Sequence, residues 1–577
     1  MNKRLLMTLA VGLLVSVCAW SQTLVIGGHR AVRDNRNQIW LCTLPQASFG
    51  SNQTLTVSYD ESVTGLTIEG KAVASGDTYT FAAIEGGKGY AVTATVDGTT
   101  VTGDITFTWL PVLELTGTFS NTYAEGTVTV NEPDSAQANP WSAKLKWRGG
   151  ATNAAGKHKR NYRVKFLNKE GKKKNRHILG LRKDNSWILD AGQMDLLRVR
   201  NRVSTDLWLD MANSPWYINE QPNAINGSRG AMVEVVLNNE YAGIYNMCEP
   251  IDRKQMQLER YDTINNEFRG ELWTAYAWSR TATMYDVKTP DNTKATWDGS
   301  IETKYPLFDD VNPTDYSTLY DNFMFAKRAS HDQQLYIDST RFHFDMPVLM
   351  DYYLFITVLQ ALDNESKNIY YACQDKQNNT LVTMVPWDLD VCIGQNYSQN
   401  VDYPDMIKPE REVNWISNLA LANLSEIDQY MDQIKTRYWE LRKTLFDPDN
   451  LVARYRNVIN SLENSGAAAR EEARWSGDSD IAGKTLDLSD EMDYVEDWLR
   501  RRIAYLDENV FNETGETWLT GDVNGDGEVT VADVNTLIDI VLGTSVDDAT
   551  MKRADVNEDS EITVADVNSV IDIILNS

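Results

Sequence analysis

The chain has 577 residues and a formal net charge of −27, too long for a single core and too acidic overall for nucleic acid to be a general partner. The charge is unevenly placed. Between Lys144 and Lys183 fifteen Lys and Arg stand against one acid, Glu170, whereas Glu516 to Ser577 carries fourteen acids against Lys552 and Arg553, so one region is built to meet an anion and the other to hold cations.

The N-terminus, MNKRLLMTLAVGLLVSVCAWSQ, places Lys3 and Arg4 before a short apolar run and small residues. This is the pattern of a secretory signal peptide over residues 1–21, with Gln22 as the first mature residue. Cys18 invites a lipoprotein reading, but Val17 before it suits that poorly. A secreted protein, extracellular or associated with a cell-surface scaffold, is expected. No second apolar stretch is long enough to span a bilayer. Cys42, Cys248, Cys373 and Cys392 remain after cleavage and form no C-x-x-C pair.

Residues 22–105 alternate apolar and polar positions in runs such as TLTVSYD and YAVTATVDG, separated by turn residues. The expectation is a small antiparallel β-sandwich that carries no chemistry. From residue 106 the texture changes. NYRVKFLN reads as a strand with Arg163 and Lys165 on one face and Tyr162, Val164 and Phe166 on the other. A strand lysine beside a cleft grips nucleotide phosphates in kinases, and Arg148 and Lys165 are candidates for that role here. KEGKKKNR after it reads as a polar hairpin tip. Leu196, Val199, Val203, Leu207 and Trp208 share a helical face. A hairpin around LNNEYAG then ends at Glu249, which either pairs with the strand lysine or opens a helix over Asp252 to Arg260. Tyr261 to Asp345 is polar, aromatic and weakly periodic, consistent with an insertion over the cleft.

The stretch ALDNESKNIYYACQDKQNNTLVTMVPWDLDVCIG, Ala361 to Gly394, contains two β-like runs around the turn-rich DKQNNT. An antiparallel hairpin brings its open ends together, joining Asp363 and Asn368 to Asp388 and Asp390. The interval Asp363 to Asn368 is that of a kinase catalytic loop, and Asp388 stands where a magnesium-binding aspartate arrives. Clustered carboxylates repel one another unless a cation or proton sits between them, and a hard divalent ion is the simplest occupant. Cys373 and Cys392 either face each other across the hairpin or are buried thiols.

Taken together, RGG with YRVKF, LGL with SWIL and an RN dipeptide, VEVVLNNEYAGIYNMCEPID, DNESKN, and VPWDLDVCIG resemble the spore coat protein H (CotH) kinase-like family over roughly Phe107 to Asn512. The resemblance implies an α+β, atypical protein-kinase-like domain over 106–512 that uses ATP with Mg²⁺ or Mn²⁺ to phosphorylate Ser or Thr of exported proteins. On the matching motifs it makes Asp363 the catalytic or metal-holding aspartate and Asp388 the other, with Asn368 and Asp390 as supporting magnesium ligands; Arg148, Lys165 and Glu249 are the candidate ATP-binding set. The chain departs from the family at Gly150, Ala151 and Thr152, where a Gly, Asn, Ser run is usual.

Two near copies, GDVNGDGEVTVADVNTLIDIVLG and ADVNEDSEITVADVNSVIDIILN, follow thirty-three residues apart. Each opens a twelve-residue loop whose oxygens suit Ca²⁺. The ligands are Asp522, Asn524, Asp526, the Glu528 carbonyl, Thr530 and Asp533 in the first, and Asp555, Asn557, Asp559, the Glu561 carbonyl, Thr563 and Asp566 in the second. Gly527 gives the first loop its turn, while Ser560 stands there in the second. Residues 513–577 resemble an α-helical type I dockerin, which implies two Ca²⁺ ions and a cohesin partner on a scaffold protein. Three readings compete: a tethered kinase; a non-catalytic structural or binding subunit of an extracellular polysaccharide-degrading (cellulosome-like) assembly; and, least, a glycoside hydrolase using Asp363 and Asp388.

Overall fold

Period-two alternation sets the first part of the chain. In GYAVTATV, Tyr90, Val92, Ala94 and Val96 point inward while the intervening residues face out. The computed structural model describes residues 24–96, 98–135, 139–395, 407–512 and 520–576, apart from 527, 545, 547 and 558–560. The expected signal peptide, Gly527, Asp559 and Ser560 lie outside the described residues. The chain divides into two compact units, one ending at Ile503 and the other beginning at Ala504.

Nine strands open the first unit: β1 (Val25–Ile26), β2 (His29–Asp34), β3 (Ile39–Thr43), β4 (Gln53–Ser58), β5 (Val63–Ile68), β6 (Lys71–Ala72), β7 (Thr78–Phe81), β8 (Gly89–Val96) and β9 (Thr99–Thr108). They form one sheet in the order β6-β5-β8-β9-β3-β2-β1-β4-β7. Phe81 on β7 meets Phe107 on β9 edge-on at 5.1 Å, so the sheet folds back over a shared core of Ile26, Trp40, Val57 and Val92. β3 and β9 run parallel, one departure from the purely antiparallel expectation.

Seven strands then close a barrel: β10 (Val112–Gly117), β11 (Ala124–Asn131), β12 (Trp141–Arg148), β13 (Asn161–Phe166), β14 (Ser186–Asp190), β15 (Gly230–Leu237) and β16 (Glu240–Cys248). Leu113, Val128, Leu145, Val164, Trp187 and Val235 fill it. Burying each such side chain is worth roughly 1.5–3 kcal/mol. The alternation that sends these inward leaves Lys144, Lys146, Arg148, Arg163 and Lys165 on the outer face of β12 and β13. There Lys144 lies opposite Lys165 and Lys146 opposite Arg163.

A second sheet comprises β17 (Glu271–Ala275), β18 (Thr296–Trp297), β19 (Ile301–Tyr305), β20 (Ile369–Cys373) and β21 (Thr383–Pro386), in the order β18-β19-β17-β20-β21. The helices are α1 (Arg200–Met211), α2 (Ser317–Ala329), α3 (Gln333–Ser339), α4 (Met346–Leu359), α5 (Leu419–Ala422), α6 (Asp428–Arg442), α7 (Pro448–Asn464), α8 (Ala467–Trp475) and α9 (Leu488–Asn509), of which α4 packs against β21, and α1 and α8 against barrel strands β15 and β16. α4 is apolar on nearly every side and buried from Leu354 to Leu359, as a helix inside a core must be. It stops at Gln360 in a left-handed conformation, φ 45°, which turns the chain toward Asp363. The expected helix around Leu196 to Trp208 is α1, starting later. No helix forms over Asp252 to Arg260, which runs as turns.

α8 is clamped to the barrel by a buried ionic group. Glu471 accepts from Lys159 Nζ at 2.6 Å, Arg198 Nε at 2.7 Å and the Ile244 amide at 2.8 Å. Gly243 makes room for it: a Cβ there would fall 2.2 Å from Glu471 Oε2. Burial pushes the Lys159 ammonium down to about 7, against the pull of Glu471.

The second unit contains α10 (Val531–Val541), α11 (Asp548–Ala554) and α12 (Val564–Asn576). Val523, Val534, Leu537, Ile540, Ala554, Val556, Val567 and Val570 form its small core. Among the described residues no helix is long and apolar enough to cross a membrane.

Candidate active site and calcium loops

β20 and β21 pair antiparallel, with Ile369 opposite Pro386, so Asn368 and Trp387 meet at the open end of the hairpin. The Trp387 amide donates to the Asn368 carbonyl at 2.9 Å, and Asn364 Nδ2 donates to the carbonyls of Trp387, at 2.7 Å, and Asn368, at 3.3 Å. Asn368 and Asp388 both have positive φ, 54° and 60°. Asn and Asp tolerate that region better than other side chains, and its appearance at two adjoining positions marks a shape held by its surroundings.

Asp363 is buried and heavily partnered. Its Oδ1 accepts from Trp278 Nε1 at 3.2 Å, and Oδ2 accepts from Asn368 Nδ2 at 3.1 Å and from Lys367 Nζ. With its NH₂ group on Asp363, Asn368 keeps Oδ1 as an acceptor. Asp388 and Asp390 differ sharply from Asp363: among the described residues neither carboxylate has a hydrogen bond or an ion pair. Part of each residue reaches solvent, yet both lie deep enough for burial to dominate their titration. Burial, then the Asp190 charge, pushes Asp388 up to about 6 against the opposing pull of Arg148 and Lys367. Burial, then Asp388, Asp190, Asp195 and Asp363, holds Asp390 well above the usual carboxylate range.

Asp190, at the end of β14, is therefore a member of the cluster that the motif reading missed. Its Oδ2 accepts from Asn201 Nδ2 at 2.6 Å, while Asn201 Oδ1 accepts from the Leu389 amide at 3.0 Å. One asparagine thus ties the barrel strand to the Asp388–Asp390 turn. A signal was present in sequence: SWILD ends an apolar strand in an acid that burial would penalise without partners. Trp278, in the aperiodic insertion, gave no such signal.

The basic face supplies the opposite charge unevenly. The Arg148 guanidinium sits 5.6 Å from the centre of the Trp387 ring, and its field reaches Asp388. Arg163 donates to Ser186 Oγ at 3.0 Å. Lys165 instead lies 4.4 Å over the Tyr123 ring, and burial with the like charges of Arg163 and Lys144 lowers its proton affinity. The structure does not pair Lys165 with Glu249. Glu249 is fully buried and takes Arg229 at 2.9 Å, the Arg182 amide at 2.7 Å and Gln255 at 2.8 Å, and it caps no helix.

The acidic group suits a divalent cation by its hard oxygen donors and by the mutual repulsion of Asp388, Asp390, Asp190 and Asp363. It is wider than a closed cage. Among the described residues, the group of three His, Cys, Asp or Glu with ligand atoms mutually within 4.8 Å is His158, Asp478 and Asp480. There the His158 and Lys159 amides already occupy Asp480, each at 2.8 Å. Cys373 and Cys392 are separate buried thiols.

In the second unit the twelfth position of each loop organises its backbone. Asp533 accepts from the amides of Asn524, at 3.0 Å, and Thr530, at 2.8 Å. Asp566 accepts from Val556, at 2.9 Å, and Thr563, at 2.8 Å. Asp522 Oδ1 takes the Gly525 and Asp526 amides at 2.8 and 3.1 Å, and Thr530 and Asp533 form a capping box on α10. Asp522, Asp533 and Asp566 are buried, a donor set of oxygens on two tight turns that suits Ca²⁺.

Residues 145–506 match the family model for CotH kinase protein, more than half of the chain, and residues 520–575 match that for the type I dockerin domain. A comparison with curated proteins finds no match. The chain belongs to the CotH kinase protein family and ends in a type I dockerin domain, a module that binds calcium.

Proposed function

We propose that this chain is an exported protein kinase that transfers the γ-phosphoryl group of ATP to Ser or Thr of other exported proteins and is tethered by its calcium-bound dockerin to a cohesin-bearing scaffold. One observation carries the kinase reading: among the described residues Asp388 and Asp390 have no hydrogen-bond or ion-pair partner and lie beside Asp190 and Asp363, with Arg148 near Asp388. Such charge favours a bound cation. Asp388 and Asp390, with Asn368 and Asp190, would hold Mg²⁺ or Mn²⁺, which supplies charge neutralisation to the phosphates. Arg148 binds phosphate oxygens, and Lys165 extends the basic face beyond it. Asp363, oriented by Lys367 and Asn368, accepts the proton of the acceptor hydroxyl. Glu249 acts at a distance by fixing Arg229 and Gln255. The main contributions are positioning and electrostatics.

The tethering reading is supported by repeated exposure. Val531, Ile538 and Leu542 of the first repeat are exposed, as are Val564, Ile571 and Leu575 thirty-three residues on. Leu542 and Leu575 leave 78% and 77% of their surface open. Apolar stripes on both helices suit a protein interface. A second reading, a non-catalytic subunit of the same assembly, is favoured by Asp363, whose two oxygens are both occupied by protein donors.

The test incubates purified mature protein with γ-labelled ATP and Mg²⁺ or Mn²⁺, in the presence of exported proteins. Wild type is expected to transfer label. Asp363→Asn and Asp388→Asn are expected to lose transfer with unchanged circular dichroism. Full transfer by both variants would sink the assignment.

A further inference from the structure

We propose that the groove between the first sheet domain and α7 binds a neutral oligosaccharide. The groove has a volume of about 660 Å³, within the range of small-ligand sites. Gln46, Asn457, Asn460 and Asn464 bring four amides to it, and none of their side chains bonds to another described residue. The three asparagines come from one helix at spacings of three and four, which places them on one face. Asparagine is a poor choice inside a helix because its side chain competes for the backbone, so Asn457 and Asn460 on one face cost the helix stability that packing does not return, and Asn464 continues that face at the last helical residue.

The remaining lining chooses the ligand class. Phe49 and Trp109 form an edge-on aromatic pair, ring centres 4.8 Å apart, and Trp109 Nε1 is anchored on Ser461 Oγ at 3.0 Å. Glu85 and Glu463 also line the groove, and among the described residues no lysine or arginine does. Amides offer a donor and an acceptor on one side chain, which matches a hydroxyl that is both. Aromatic carbons suit the apolar face of a sugar ring. Two carboxylates without a cation exclude an anionic ligand.

The walls are fixed relative to each other. A Cβ on Gly86 would fall 2.1 Å from the Asn464 carbonyl, and one on Gly466 2.4 Å from the Gly87 amide nitrogen. Backbone thus packs on backbone beside the groove, and the site is formed before any ligand arrives.

The test is isothermal titration of the full chain with cellohexaose, xylohexaose and mannohexaose, with polygalacturonate as an acidic comparison. At least one neutral oligosaccharide is expected to bind with Kd near or below about 1 mM. Asn460→Ala/Asn464→Ala is expected to weaken it tenfold or more, and Asp388→Asn to leave it unchanged. Asn460→Ala raises helix propensity at an interior position, and an unchanged urea midpoint of the double variant separates loss of binding from unfolding. Three results each overturn the proposal: no binding by any neutral probe, binding unaffected by the double substitution, or tighter binding of polygalacturonate.

Discussion

Glu271 opens β17 and lies opposite Cys373 on β20, at the base of the hairpin that presents the aspartates. It is buried, accepts from Thr318 Oγ1 at 2.6 Å, and stands 3.4 Å from Lys376 Nζ. Burial pushes its carboxyl up to about 7, although Lys376 opposes this. Lys376, in contrast, has its proton held more tightly than usual. The two directions agree once partners are compared: Lys376 bonds more closely to Asp315, at 2.6 Å, so Glu271 receives the weaker share. The folded value lies above the unfolded one, so the folded state takes up this proton first. The resulting stability is complete below about pH 4.5 and is lost as pH rises through about 7. Raising a buried carboxyl from its ordinary value of 4.5 to about 7 makes this a contribution of about 3 kcal/mol. Glu271→Gln keeps an acceptor for Thr318 and removes the charge, and Asp315 still holds Lys376. The variant should therefore gain on wild type by about 1–3 kcal/mol between pH 5 and pH 8. Urea denaturation followed by tryptophan fluorescence reads the first unit through Trp273, buried two residues along β17. Parallel stability profiles for the two proteins from pH 5 to pH 8 would refute the reasoning.

Glu471→Gln leaves Lys159 and Arg198 buried without their shared carboxylate and should destabilise the first unit by about 3 kcal/mol or more, measured as a shift in urea midpoint. Calcium chelation should unfold the second unit while tryptophan fluorescence of the first stays native, because eight small aliphatic residues make a core too slight to hold two loops of clustered acids. Asp533→Ala, which strips the acceptor from the Asn524 and Thr530 amides, should reproduce that loss at ordinary calcium, visible in the circular dichroism of residues 517–577. Arg148→Ala should weaken ATP binding roughly tenfold, about 1.4 kcal/mol, and Lys165→Ala much less, since Lys165 lies over Tyr123 and Arg148 beside Trp387; equal effects in a nucleotide titration would contradict that division.

Local structure is legible in the sequence where chemistry and period coincide. IYYAC and LVTMVP alternate around a polar turn, and they pair as β20 and β21. The two acidic loops are near copies thirty-three residues apart, so their register is plain. What escaped was long-range. Asp190 precedes Asp388 by nearly two hundred residues, and only closure of the barrel and the bridging Asn201 bring it to the turn. Glu249 was read as a partner for a strand lysine because no local pattern shows that Arg229, twenty residues earlier, lies within reach across the β15–β16 pair. Acids at Glu249 and Asp252 suggested a helix start, but Asp252 spends its carboxylate on Arg182 at 2.8 Å, and the segment turns instead. Trp278 sits in an insertion without period, where only a tertiary contact reveals its bond to Asp363.

The proposed phosphoryl transfer requires a cation where the hairpin mouth meets the end of β14. Electron paramagnetic resonance of Mn²⁺, titrated into the protein with ATP, reads that ion directly. Wild type should give a protein-bound manganese signal whose line shape changes on adding nucleotide, and Asp388→Asn, still folded, should give only the signal of free Mn·ATP. An identical bound signal in the two proteins would place the ion elsewhere and contradict the account.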